Sequence, residues 1–79
     1  MISREIWLDK LPEERASYFN KSKMSIDLFA KHMELSAYNI EMLMHENGYV
    51  YMENERKFVS QREYNHRVSE MFNGRSNNV

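Results

Sequence analysis

The sequence predicts a mostly α-helical domain carrying one β-hairpin, laid out as a winged helix-turn-helix. Three observations predict it. Two amphipathic stretches follow one another with only about three residues around Leu35-Ser36 between them, the joint of a helix-turn-helix. Past Gly48 the apolar period changes from helical to alternating, and two short β-prone runs flank a polar tip. Glycine occurs only at Gly48 and Gly74 and proline only at Pro12, sparse punctuation that favours helices with short joints.

The elements follow in order. Residues 3–11 carry Ile6, Trp7 and Leu11 and allow an extra turn before the main body. Pro12 suits the first turn of a helix, and Glu13 and Glu14 suit the positive end of its dipole. A helix is predicted over 12–20, with Ala16 and Phe19 or Tyr18 inward. Residues 20–23 read as a polar joint. Ser25 caps the next helix, whose Ile26, Phe29, Ala30 and Met33 fall on one stripe. Ser36 caps a helix over 37–47 with Ile40, Leu43 and Met44 on one face, and Asn47-Gly48 ends it.

Tyr49-Val50-Tyr51-Met52 and Lys57-Phe58-Val59 are the predicted strands, with Glu53-Asn54-Glu55-Arg56 as the tip. Alternation puts Tyr49 and Tyr51 on one face and Val50 and Met52 on the other. One face must be inside. The other is either covered by the first or last helix or free for contact. Ser60-Gln61-Arg62-Glu63 has the form of a capping box. Tyr64, Val68, Met71 and Phe72 continue as a helical stripe that Gly74 is expected to end. The reading is one domain over 1–74, with the helix-turn-helix at 25–47, the wing at 49–59, the C-terminal helix at 61–73 and a flexible tail at 75–79.

Composition bounds the function. Seventy-nine residues make one domain with a thin core, which seldom spares the roughly 300 Å³ pocket of an enzyme. There is no cysteine for disulfides or thiolate metal sites. The charged start and the lack of about 18 consecutive apolar residues point away from a signal peptide or membrane span. A cytoplasmic protein is expected. Eleven basic against twelve acidic residues exclude a general polyanion binder, so nucleic-acid contact needs a local patch.

On the second helix of the motif, Tyr38, Asn39, Met42 and His45 stand where base edges are read, and Asn bonds adenine bidentately. Glu41 and Glu46 on the same helix oppose phosphate, and it carries no Lys or Arg. The basic candidates are Lys21, Lys23 and Lys31 before and within the first helix of the motif, Arg56 and Lys57 on the hairpin, and Arg62 and Arg67 on the last helix. These suit backbone contacts, though solvated surface charge accounts equally well for each singly. His32, His45 and His66 are 13 and 21 residues apart and form no ligand pair. With no phosphate loop and no nucleophile motif, no catalytic residue, metal or other cofactor is expected.

Residues 24–72 carry a resemblance. Ser25-Ile26-Asp27-Leu28-Phe29-Ala30-Lys31, His45-Glu46-Asn47-Gly48-Tyr49-Val50-Tyr51 and Phe58-Val59-Ser60-Gln61-Arg62-Glu63-Tyr64 resemble the KilA-type C-terminal domain of phage antirepressors. There a helix-turn-helix-like pair leads through an E-N-G-Y turn into a hairpin and a final helix. This chain departs from that pattern at Ser60, where a Pro-Thr pair is usual, and in its acidic hairpin tip. The resemblance implies a small regulator of phage, prophage or plasmid type acting on DNA or on a repressor.

The leading expectation is a DNA-binding transcriptional regulator that contacts double-stranded DNA as a homodimer, the seam lying on the first or last helix through Trp7, Tyr64, Val68 or Phe72. The alternative is a protein-binding module of the same fold, an antirepressor or an inhibitor of a host protein, presenting Tyr38, Met42 and Glu46 to a regulatory protein.

Overall fold

The computed structural model describes residues 1–76, with side-chain surroundings described as far as Phe72. Among the described residues the order is α1 (Arg4–Asp9), α2 (Pro12–Ser22), α3 (Ile26–Met33), α4 (Ala37–Glu46), β1 (Tyr49–Met52), β2 (Lys57–Ser60) and α5 (Gln61–Ser76). This mostly helical layout with one two-stranded antiparallel sheet is compatible with a winged helix-turn-helix arrangement. No described helix is long and apolar enough to cross a membrane.

Local chemistry sets the helix starts. Ser3, Ser25 and Ser36 each accept a backbone N–H from three residues on, at 3.3, 3.2 and 3.0 Å, satisfying a donor that a helix start leaves open. Leu11 begins α2 without a side-chain acceptor, so the Glu14 carboxylate reaches back to its N–H at 3.1 Å. The stops are less expected. Lys23, Glu34 and Arg56 take the left-handed conformation at φ 60, 57 and 53°. Turns that usually recruit glycine here run through long charged side chains.

Ile26, Phe29, Ala30 and Met33 of α3 are all buried, as are Ile40 and Met44 of α4. Leu43 packs at the margin of that core. Of the three apolar positions expected over residues 3–11, only Trp7 of α1 turns inward; Ile6 and, at the start of α2, Leu11 are exposed. Six residues make under two turns, too short to present a wide stripe. Trp7 is fully enclosed, its indole N–H donating to the Arg15 carbonyl at 3.2 Å. It is core and unavailable as a dimer seam.

A run of edge-on aromatic contacts ties the elements together. Phe29 meets Trp7 at 5.3 Å and Phe19 at 4.9 Å between ring centroids. Phe19 in turn meets Phe58 at 5.2 Å and Tyr51 at 5.9 Å. One series of rings thus joins α1, α3, α2 and the hairpin, and each such pair adds about 0.5–1.5 kcal/mol beyond its buried area.

The hairpin pairs Val50 with Val59, Tyr51 with Phe58 and Met52 with Lys57. Tyr51 and Phe58 face the helical body. Val59 is buried outside that cluster, on the face where Met52 meets α5. The last helix therefore covers the back of the sheet, and the hairpin is a middle layer. Asn20 holds its outer edge. The Asn20 side-chain amide donates to the Phe58 carbonyl at 2.9 Å and accepts the Phe58 N–H at 2.8 Å.

Residues 20–23 are thus not a polar joint. α2 runs to Ser22, because Asn20 spends its amide on β2 rather than on turning its own backbone. α5 also outlasts its predicted end, continuing through Gly74 to Ser76. A lone glycine inside a helix costs only about 1 kcal/mol against alanine. Residues 77–79 of the predicted tail lie outside the described residues. The capping box forms by half: Ser60 accepts the Glu63 N–H at 3.1 Å, while the Glu63 carboxylate turns to Arg67 at 3.0 Å.

Replacing Asn20 with alanine strands both polar groups of Phe58. Asn20→Ala is expected to lower unfolding free energy by about 1–3 kcal/mol in urea titration. The exposed neighbour substitution Ser17→Ala is expected to stay within about 0.5 kcal/mol of wild type. Equal effects from the two would contradict the clamp.

Candidate recognition surface

The α4 residues named for contact stand outward. Tyr38 is 69% exposed and Met42 40%. Asn39 is exposed, its backbone N–H donating to the Ser36 cap. Ser36 sets this orientation: it starts α4 at Ala37, so Ile40 and Met44 point in while Tyr38, Met42 and His45 point away. Beside them runs a groove between α4 and β1, lined by Tyr38, Glu41, Met42, His45, Tyr49, Val50 and Tyr51. Tyr38, Met42 and His45 are the expected contact residues here; Tyr49 and Tyr51, for whose hairpin both a covered and a free face are expected, join them from the strand side. The change of period after Gly48 was its one visible signal, since Gly48 (φ 86°) lets the chain turn β1 back toward α4.

Tyr51 bridges groove and core. Its ring packs on Phe19 and Phe58. Partial burial pushes its pKa above the ordinary tyrosine value, so the hydroxyl stays protonated at neutral pH. No Lys or Arg lines the groove.

The basic candidates scatter. Lys21 and Lys23 line a shallow depression with Glu13, Ser17, Asn20 and Tyr49. Lys31 is exposed on α3 and Arg62 on the first turn of α5. Arg56 is exposed at the hairpin tip. Lys57 and Arg67 are engaged within the chain: Glu55 takes Lys57 at 3.2 Å and also binds Arg67, which holds Glu63 as well. The carboxyl of Glu55 is accordingly held below its ordinary value by hydrogen bonds from Lys57 and Arg67. The acidic tip is a feature by which this chain departs from the KilA-type pattern. Its physical role is to neutralise the neighbouring cations, and the Arg67 partner, twelve residues away, carried no local signal.

Among the described residues no group of three or more His, Asp or Glu side chains is placed to hold a metal ion. No protein family, curated protein or solved structure matches the chain. The likeness to the KilA-type domain therefore rests on the residues quoted above.

The Glu55 cluster generates a pH prediction. Its folded pKa lies below the ordinary 4.5, so the stabilisation it contributes is present above that value and fades as pH falls through the folded pKa. Thermal melts of wild type and Glu55→Gln are expected to differ at neutral pH and to converge once the pH falls below the folded pKa of Glu55. A gap that persists unchanged at the acid end would show that Glu55 is not ion-paired.

Proposed function

We propose that this chain is a winged helix-turn-helix recognition module that binds a regulatory protein through the groove between α4 and β1, and that it acts by contact rather than by catalysis. The character of the groove carries the reading. Three tyrosines, a methionine and a valine wall it, with Glu41 and His45 as its polar members. Tyrosine supplies large contact area and a hydrogen-bonding tip, and methionine adapts to the shape it meets. A carboxylate at the rim repels phosphate and favours a protein segment carrying a cation beside apolar side chains. An antirepressor or an inhibitor of a host protein works in this way, which is also one of the two actions the KilA-type resemblance implies. The cysteine-free composition suits the reducing cytoplasm.

One observation favours a second reading, DNA-binding regulation of transcription. Lys21, Lys23, Lys31, Arg56 and Arg62 are exposed and in no ion pair among the described residues. They would carry the backbone contacts to double-stranded DNA, with Asn39 left to read a base edge.

The two readings separate experimentally. From nuclease-treated lysate of the native host, the wild-type chain is expected to retain a protein that Tyr38→Ala/Met42→Ala loses by tenfold or more, each lost anchor being worth about 1 kcal/mol or above. Retention by the double variant contradicts the assignment to this groove. A gel shift on duplex DNA that weakens steeply with salt, by a slope of about 0.9 per phosphate contact, and that flattens in Lys21→Ala/Lys23→Ala/Arg56→Ala would replace the protein reading with the DNA one.

A further inference from the structure

The two edges of the hairpin differ. On β2 the N–H and C=O of Phe58 turn outward, and Asn20 takes both. Facing residues of an antiparallel pair alternate between bonding to each other and turning away from each other. Tyr51 stands opposite Phe58, so its own N–H and C=O also turn outward, onto the free edge of β1. Tyr49, two residues back, does the same. The ladder agrees at its next step, where the Gln61 N–H crosses the pair to the Gly48 carbonyl at 2.8 Å. Among the described residues the outward N–H and C=O of Tyr49 and Tyr51 have no hydrogen-bond partner. Apart from being short, β1 lacks the devices that protect a sheet edge. Tyr-Val-Tyr-Met holds no lysine and no proline, and it pairs with β2 in unbroken register, without a bulge.

This edge opens into the α4 groove. Three successive residues of β1, Tyr49, Val50 and Tyr51, line that groove. Successive side chains alternate between the faces of a sheet, so a groove that touches all three runs along the edge of the strand. Tyr38 and Met42 form the opposite wall, and Glu41 is the carboxylate between them. The open groups of Tyr49 and Tyr51 repeat at about 7 Å, the spacing of every second residue in an extended chain. Only another extended backbone supplies a donor and an acceptor at that repeat. A phosphodiester chain lacks the donors that the tyrosine carbonyls need. A second copy offering the same edge brings Glu41 to a groove without Lys or Arg.

Resting on the protein-contact reading above, we infer that the partner enters the groove as an extended segment that joins β1 as a new edge strand. Backbone hydrogen bonds to Tyr49 and Tyr51 hold the segment. Its alternate side chains lie against Tyr38 and Met42, and a lysine or arginine meets Glu41. The chain thereby recognises a basic and apolar strand rather than a preformed helix.

Amide hydrogen exchange of the full chain, read residue by residue by NMR, tests it with a defined probe. The probe is an end-blocked peptide of about eight residues alternating valine and lysine. In the free chain the Tyr49 and Tyr51 amides are expected to exchange freely while Phe58 is protected. Peptide at ~1 mM is expected to slow both tyrosine amides about two- to tenfold, for a Kd on the order of 0.1–1 mM. The same peptide N-methylated along its central residues keeps its side chains and loses its donors. It is expected to bind at least tenfold more weakly. A valine–glutamate peptide is expected to bind about fivefold more weakly than the lysine one, and Glu41→Lys to invert that order. Tyr51 already protected in the free chain, no slowing at ~1 mM peptide, or equal binding by the N-methylated peptide would each overturn the proposal. Protection that rises with protein concentration alone would give the edge to a second copy and overturn it too. The groove reading fails separately. It falls if Tyr38→Ala/Met42→Ala keeps the lysate partner, whereas a lost partner with both tyrosine amides still open removes only the added strand.

Discussion

The two hydrogen bonds between the Asn20 side chain and the backbone of Phe58 hold the rest of the molecule in register. Two four-residue strands make a hairpin that is marginal alone in water. The outer edge of β2 would present open donors and acceptors. An asparagine amide offers one donor and one acceptor in nearly the geometry of a neighbouring strand residue, so Asn20 serves as a single residue of a third strand. With that edge satisfied, Phe58 is fixed against Phe19, and the alternation of β2 commits Val59 to the opposite face, where α5 covers it. One polar side chain on α2 thereby sets which faces of the hairpin become the middle layer.

The proposed function rests on what this layering leaves open. β1 is held beside α4, so Tyr49, Val50 and Tyr51 meet Tyr38 and Met42 across a groove. On the far face the hairpin supports only the first half of α5, and the apolar stripe of that helix runs on past its support. Glu55 at the hairpin tip engages Lys57 of β2 and Arg67 of α5, two of the cations expected to contact DNA, while Arg56 stays exposed. The molecule therefore exposes two aromatic or apolar surfaces and a scatter of unpaired cations. That balance is what supports the protein-contact reading proposed for α4.

Much of the architecture was legible in the sequence because it rests on local rules. The serines at Ser25 and Ser36, the Ile26 to Met33 stripe and the change of period at Gly48 each act within a few residues. What escaped reading acts across distance. Asn20 looked like a turn former because its partner lies 38 residues on. Trp7 offered no sign of whether it closes the core or an interface, since a short helix has too few neighbours to show a face. Gly74 carried a common stop signal, yet the backbone stays helical to Ser76. At the candidate site, Tyr38, Asn39 and Met42 were legible as outward-facing positions. The pairing of Lys57 and Arg67 with Glu55 was not, because it joins the hairpin to α5.

Native-state hydrogen exchange of the Phe58 amide tests the central claim most directly. Clamped by Asn20, that amide is expected to open only with global unfolding, while Asn54 at the hairpin tip exchanges freely. If Phe58 exchanged as fast as Asn54, the sheet edge would be unheld and the layered account contradicted.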